Sequence, residues 1–176
     1  PFGDVRYGIG RAFIFGMQLG VRIHSGVFRY EQGDEPTAQM VMLRNAAQLM
    51  SRCEEYLLKG RMLHDPKIVG SPAIIPPKLH GRNHRAALPI SWPVVQATAW
   101  RSEAGNVCYA IVNLSDSPQS VELEATANGM SGPVSLSRID TIEPRTQYDP
   151  VQLPMTLELK LQPWQMCCVL QTSLAR

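Results

Sequence analysis

The chain has 176 residues, of which 44% are apolar and 18% charged, and its formal net charge is +2. It is long enough to bury a sizeable core, and the composition is that of a globular domain. So small a charge, with no basic run beside it, does not imply a nucleic-acid partner, and none is expected; no apolar stretch reaches the roughly 20 residues of a membrane-spanning helix.

The chain opens on Pro1 rather than Met, without a charged n-region or a small-residue cleavage site. It is expected to be the tail of a longer protein, and its localisation is not readable. Of the four cysteines, Cys53, Cys108, Cys167 and Cys168, no two form a CxxC pair. Neighbouring strand residues point to opposite faces, so Cys167 and Cys168 cannot both face one metal. The expected state of all four is a buried free thiol acting as a small apolar group.

In chain order, Pro1 to Gly10 is glycine-rich and predicts a loop. Arg11 to Val21 is apolar on nearly all sides and predicts a helix covered on more than one face. Gly16 and Gly20 would share one side of it, allowing a neighbour to approach closely. His24 to Gly33 is a connection. Asp34 can cap and Pro36 suits a first turn, which predicts a long helix from about Thr37 to Leu63. Its apolar stripe is expected at Met40, Leu43, Ala47, Met50 and Leu57, widened by Ala46, Cys53 and Leu58. Gln39, Arg44, Gln48, Arg52, Glu55 and Lys59 would form the wet side. Asp65-Pro66 ends helical structure.

From Lys67 on, apolar residues alternate in short runs between turn residues. Strands are expected at Ile68–Ile75, Arg85–Ile90, Val94–Arg101, Asn106–Leu114, Val121–Ala125, Pro133–Ile139, Leu157–Leu161 and Gln165–Gln171. Gly105 closes a hairpin between the third and fourth. Cys108, Ala110, Val112 and Leu114 face one way and Val107, Tyr109 and Ile111 the other, which predicts a central strand. Glu143 to Pro154 is a polar loop. About seven or eight short strands with regular turn signals predict an antiparallel sandwich in preference to a barrel. The fold class is therefore an α+β chain, with two N-terminal helices followed by an all-β sandwich. The parts are expected at residues 1–65 and 66–176.

The pieces follow a recognisable order. AFIFGMQLG (12–20) precedes a long helix ending EEYLLKGRML (54–63); then come AIVNLSDSPQSVELE (110–124) and LKLQPWQMCCVLQ (159–171). This order resembles the C-terminal end of bacterial glycoside-hydrolase-like proteins of a family without assigned function, in which a β-sandwich follows a (β/α)8 barrel. The resemblance implies that residues 1–65 are the remnant of that barrel and that the upstream barrel domain is the partner. Asp4, Arg6 and Tyr7 would then lie in a loop at the barrel face where active sites sit, as substrate contacts. It also implies an exposed apolar surface around Phe13, Ile14, Phe15 and Met17 where the barrel is missing.

No catalytic residue is readable. Glycosidases need two carboxylates flanking the bond, and Asp4 has no visible companion. Glu54 and Glu55 are consecutive on a helix and cannot face one substrate. His80 and His84 have i, i+4 spacing, but Gly81 and Pro76-Pro77 argue against a helix there; with His64 they predict loop histidines, and no metal or cofactor is expected. Trp92, Trp100 and Trp164 are candidates for stacking on sugar rings, with core packing as the plainer role. The expected function is a non-catalytic accessory sandwich. The alternatives are a carbohydrate-binding module, with carbohydrate as partner, and a purely structural or assembly module.

Overall fold

A computed structural model describes residues 5–17, 38–74, 92–130, 132–141 and 145–174. The protein is an α+β chain. Helices α1 (Val5–Ile14), α2 (Ala38–Arg52) and α3 (Glu54–Leu57) precede the strands. Six strands run for seven or eight residues: β5 (Val95–Arg101), β6 (Val107–Asn113), β7 (Gln119–Ala125), β8 (Val134–Asp140), β10 (Met155–Leu161) and β11 (Met166–Ser173). Five two-residue strands complete the described set: β1 (Arg61–Met62), β2 (Ile68–Val69), β3 (Ala73–Ile74), β4 (Trp92–Pro93) and β9 (Thr146–Gln147). The expected strand at Arg85–Ile90 lies outside the described residues. The polar segment from Glu143 to Pro154 carries β9 and a bridge from Val151 to Val134.

All pairings among the described residues are antiparallel. One sheet has the order β1-β5-β6-β11-β8-β9, a second β10-β7-β2, and β3 pairs β4. The β5–β6 hairpin closes as its sequence predicts. The Ser102 amide donates to the Asn106 carbonyl at 2.9 Å, and Gly105 takes φ +84°. β6 is internal to the six-stranded sheet, and all seven of its residues are buried.

That burial is two-sided. Val107, Tyr109 and Ile111 join Val95, Val121, Leu123, Leu159, Cys167 and Val169 in a core between the two sheets. Cys108, Ala110 and Val112 join Phe13, Ile14, Leu49, Cys53, Tyr56 and Cys168 in a second core, between the outer face of the six-stranded sheet and the helices. Each large apolar side chain buried in these layers contributes roughly 1.5–3 kcal/mol.

The helices depart from their sequence expectation in three ways. First, the N-terminal helix begins at Val5 and ends at Ile14, where a loop and then a helix from Arg11 to Val21 were expected. Gly10 is a packing glycine: a Cβ there would stand 2.6 Å from Leu114 Cδ2 and 3.0 Å from Val112 Cγ2. Gly16 is a stop. It adopts φ +59°, its amide donates to the Phe13 carbonyl at 3.1 Å, and the Met17 amide donates to Ala12 at 2.9 Å. That pair of bonds is a Schellman closure, which satisfies carbonyls the helix leaves open. Gly20 and the rest of the expected helix lie outside the described residues.

Second, the long helix is interrupted at Cys53, whose backbone leaves helical geometry at φ −114° and ψ 27°. The Tyr56 and Leu57 amides both donate to the Cys53 carbonyl, and α3 ends at Leu57 rather than Leu63. The buried side chains are Met42, Ala46, Leu49, Met50, Cys53, Tyr56 and Leu57, so Ala46, Met50, Cys53 and Leu57 lie inside as expected and Leu43 is half-buried, while Met40, Ala47 and Leu58 are exposed. Third, Phe13 and Ile14 are fully buried against the sheet, so of the four residues expected on an exposed apolar surface only Met17 is exposed.

A Cβ at Gly16 would run into the Leu57 carbonyl oxygen and come within 3.0 Å of the Trp100 ring, whereas one at Gly105 meets nothing within 4 Å. Both positions have positive φ. Gly16→Ala is therefore expected to cost about 2–5 kcal/mol, and Gly105→Ala only about 1 kcal/mol, in urea unfolding midpoints. Equal losses would show that the contact with α3 and Trp100 contributes nothing.

Candidate functional site

The site is organised by how α1 is fastened. A helix leaves its last carbonyls without intrahelical partners. Here the Ile14 carbonyl accepts from the Thr98 hydroxyl and from Trp100 Nε1 at 3.0 Å, and Trp100 Nε1 also lies 2.9 Å from Thr98 Oγ1. Trp100 is buried with its one donor engaged. Its place in the fold is to cap α1 from β5, and it presents no open ring face to a sugar.

So anchored, α1 carries three polar side chains, those of Arg6, Tyr7 and Arg11, to two half-buried indoles. The Arg6 guanidinium lies 4.1 Å from the ring centroid of Trp164, and that of Arg11 4.1 Å from the ring centroid of Trp92. Both distances are within cation–π range. Tyr7 stacks on Trp92 at 6.3 Å and 27°. Arg6 and Tyr7 belong to the first turn and a half of the helix, not to a loop ahead of it. Asp4 lies outside the described residues. Four of the six residues singled out from sequence thus form one cation–aromatic layer along α1.

Trp164 is held on its other side by two turns that the family-like motifs supply. Asn113, at the end of β6, donates to the Ser117 carbonyl at 2.8 Å and the Gln162 carbonyl at 2.9 Å. It accepts from the Ser115 amide at 3.1 Å and hydroxyl at 2.8 Å. One buried amide therefore ties the β6–β7 turn to the β10–β11 turn. Asp116 then accepts from Trp164 Nε1 at 2.7 Å and pairs with Arg6 at 3.3 Å. Trp164 has φ +57°, a conformation rare for an aromatic residue.

Two clefts flank this layer. One, of about 280 Å³, is lined by Arg11, Phe15, Asp65, Trp92, Gln96 and Thr98 among others. The other, of about 270 Å³, is lined by residues including Arg6, Asn45, Thr141, Trp164 and Gln165. Each combines an arginine, an indole and amide or hydroxyl groups, a lining suited to a small polar ligand with an apolar face. Elsewhere, His64 is exposed, and His80 and His84 lie outside the described residues. Glu54 pairs with Lys59 at 2.9 Å on an exposed surface.

A separate grouping escaped the sequence reading. Cys53, Cys108 and Cys168 are fully buried free thiols, as expected singly, but their sulfurs lie within 4.8 Å of one another. No local spacing reveals this, because the three come from a helix break and two strands.

No protein-family model matches the chain, and no curated protein matches it. Among solved structures it is similar to a protein of Bacillus halodurans C-125 described as a candidate α-N-acetylgalactosaminidase, with 15% identity and a TM-score of 0.48. The match covers 95% of this chain and 30% of that one, so the chain spans under a third of that protein's length.

Burial raises the Tyr7 phenol above its usual value of 10, against opposing effects of Gln96 and the Arg11 charge. Burial also raises Tyr109, and it raises Tyr56 with Glu55 adding to the effect. Above pH 10 the unfolded chain then gives up these protons before the folded one, binds fewer of them and gains relative to it. Stability is expected to be unaffected by these groups below pH 10 and to fall as pH rises beyond it. At pH 11 the folded chain should show fewer phenolates by ultraviolet difference absorbance than the chain in urea; equal numbers would contradict the burial of the three rings.

Proposed function

We propose that the chain is a non-catalytic, C-terminal accessory β-sandwich of a glycoside-hydrolase-like protein, stabilising a carbohydrate-active barrel domain. The observation that supports this reading is the apolar core shared by α1–α3 and the six-stranded sheet, with Phe13, Leu49, Cys53, Tyr56, Ala110 and Cys168 in one cluster. Helices that close a barrel would, on this arrangement, be fixed to the sandwich by the surface that covers its central strands. Moving them away would strip the cover from β6 and β11. The described linings of the two clefts include one carboxylate, Asp65, whereas glycosidic hydrolysis uses a pair. On this reading the catalytic acids belong to the barrel.

The aromatic layer favours a second reading, a carbohydrate-binding module. Trp92, Trp164 and Tyr7 lie by the clefts with arginine and amide groups at hand. The guanidiniums of Arg6 and Arg11, now over the indoles, would swing to the ring edges and donate to sugar hydroxyls.

Helices and sandwich are expected to unfold in one transition, with far-ultraviolet circular dichroism and tryptophan fluorescence coincident in urea. Phe13→Ala should lower that single midpoint by about 3–5 kcal/mol in stability. A separate early loss of helix would overturn the accessory reading, as would turnover of aryl glycosides by the chain itself. Calorimetric binding of an oligosaccharide that is lost in Trp164→Ala would favour the binding-module reading.

A further inference from the structure

The cysteine trio has a geometry that core packing does not require. Cys168 opposes Ala110 in the β6–β11 ladder and Cys108 opposes Leu170, so the two cysteines are diagonal neighbours on the helix-facing side of the sheet. Cys53 meets them at the break between α2 and α3. The three sulfurs converge from three elements to within 4.8 Å of one another, and each residue is fully buried. Cys167, adjacent in sequence to Cys168, faces the opposite core.

We propose that Cys53, Cys108 and Cys168 form a binding site for a soft metal ion of low coordination number, Cu(I), held by three sulfurs. Sulfur donors alone select soft ions such as Cu(I) or Zn(II). A structural zinc takes four protein ligands, and a catalytic one takes three and keeps an open position for water. Among the described residues no fourth His, Cys, Asp or Glu joins the trio, and the full burial of its sulfurs gives water no route to an open position. An ion at the centre of three sulfurs, with bonds of roughly the 2.3 Å of a metal–thiolate contact, needs them about 4 Å apart. The observed spacing accommodates this without rearranging the strands.

Cysteine binds a metal as thiolate, so loading releases the thiol protons and is expected to strengthen as pH rises. Because the site is closed, loading accompanies folding.

The test is to refold the chain anaerobically with Cu(I) buffered by a bathocuproine chelator, with a parallel arm in Zn(II), and to measure retained metal by mass spectrometry. About one copper per chain is expected, falling at least about tenfold in Cys53→Ala and Cys168→Ala and unchanged in Cys167→Ala. X-ray absorption of the copper-loaded wild type reads the site without relying on any variant: three sulfurs around the metal support the proposal. Fewer sulfurs, nitrogen ligands, or copper retained equally by Cys168→Ala would overturn it, and preferential uptake of Zn(II) would overturn the assignment to Cu(I). A chain that retains neither metal holds nothing more than three packed thiols.

Discussion

The central strand pair β6–β11 is apolar on both faces, and that constraint dictates everything around it. A strand buried on one side can show polar residues to water; β6 has none to show, because all seven of its residues are buried. Both faces must be covered. The β10–β7–β2 sheet covers one face through Val121, Leu123, Leu157 and Leu159, and the helices cover the other. Sheet residues on the helical side are small or slender where the helices come closest: Ala110, Cys108 and Cys168. Gly10 of α1 removes the last obstacle, since Leu114 and Val112 occupy the space its Cβ would need. The three layers follow from the side chains of one strand pair.

Polar groups that cannot avoid burial are placed where they connect elements. Gln171 accepts from the Tyr109 hydroxyl at 3.0 Å and donates to the Thr126 carbonyl, which fastens the loop after β7 to the core between the sheets. Asn113 does the same work at the other end. It uses both of its amide donors on turn carbonyls, so the turns before β7 and β11 share one anchor. Asp140 accepts from Gln165 at 3.3 Å and pairs with Arg138, and the Gln165 carbonyl oxygen of the side chain accepts from the Gln162 amide at 2.7 Å. Leaving any of these groups unpaired would cost roughly 1–3 kcal/mol of desolvation. The phrases that give the chain its family resemblance are thus largely structural: they encode turns and the amides that close them.

The strand half of the chain was legible because its signal is local. Glu122 and Glu124 alternate with Val121, Leu123 and Ala125, and exposure follows that alternation. The hairpin at Gly105 needed only its four turn residues. The helical half was less legible because apolar residues occur on several faces. Met40, Ala47 and Leu58 are as apolar as Met42, Leu49 and Tyr56, so the stripe could be rotated without penalty on paper. Only the shape of the sheet beneath selects Met42, Ala46, Leu49 and Cys53. Tyr7-Gly8-Ile9-Gly10 looked like a loop since glycine disfavours helix by roughly 1 kcal/mol per residue. The packing of α1 onto β6 outweighs that preference, and no propensity scale contains it. The cysteine trio and the cation–aromatic layer were invisible for the same reason. Each depends on which strands become neighbours.

This places α1 in two roles that pull against each other. Its inner face is core: Phe13 and Ile14 are fully buried, and its last carbonyl is capped by Thr98 and Trp100. Its sides carry Arg6 and Arg11 across Trp164 and Trp92. A helix held this firmly cannot shift to admit a ligand. Any response at the clefts must therefore come from the arginine side chains, whose long stems can leave an indole face at a cost of roughly 0.5–2 kcal/mol in lost cation–π attraction. Asp116 weights that balance differently on the two sides. It ties Arg6 to the edge of Trp164, whereas the Asp65 carboxylate in the other cleft is not part of an equivalent tie to Arg11 among the described ion pairs. Arg6 is accordingly held by a carboxylate as well as by a ring. In the Trp92 cleft, Arg11 is instead shared between the Phe15 and Trp92 rings.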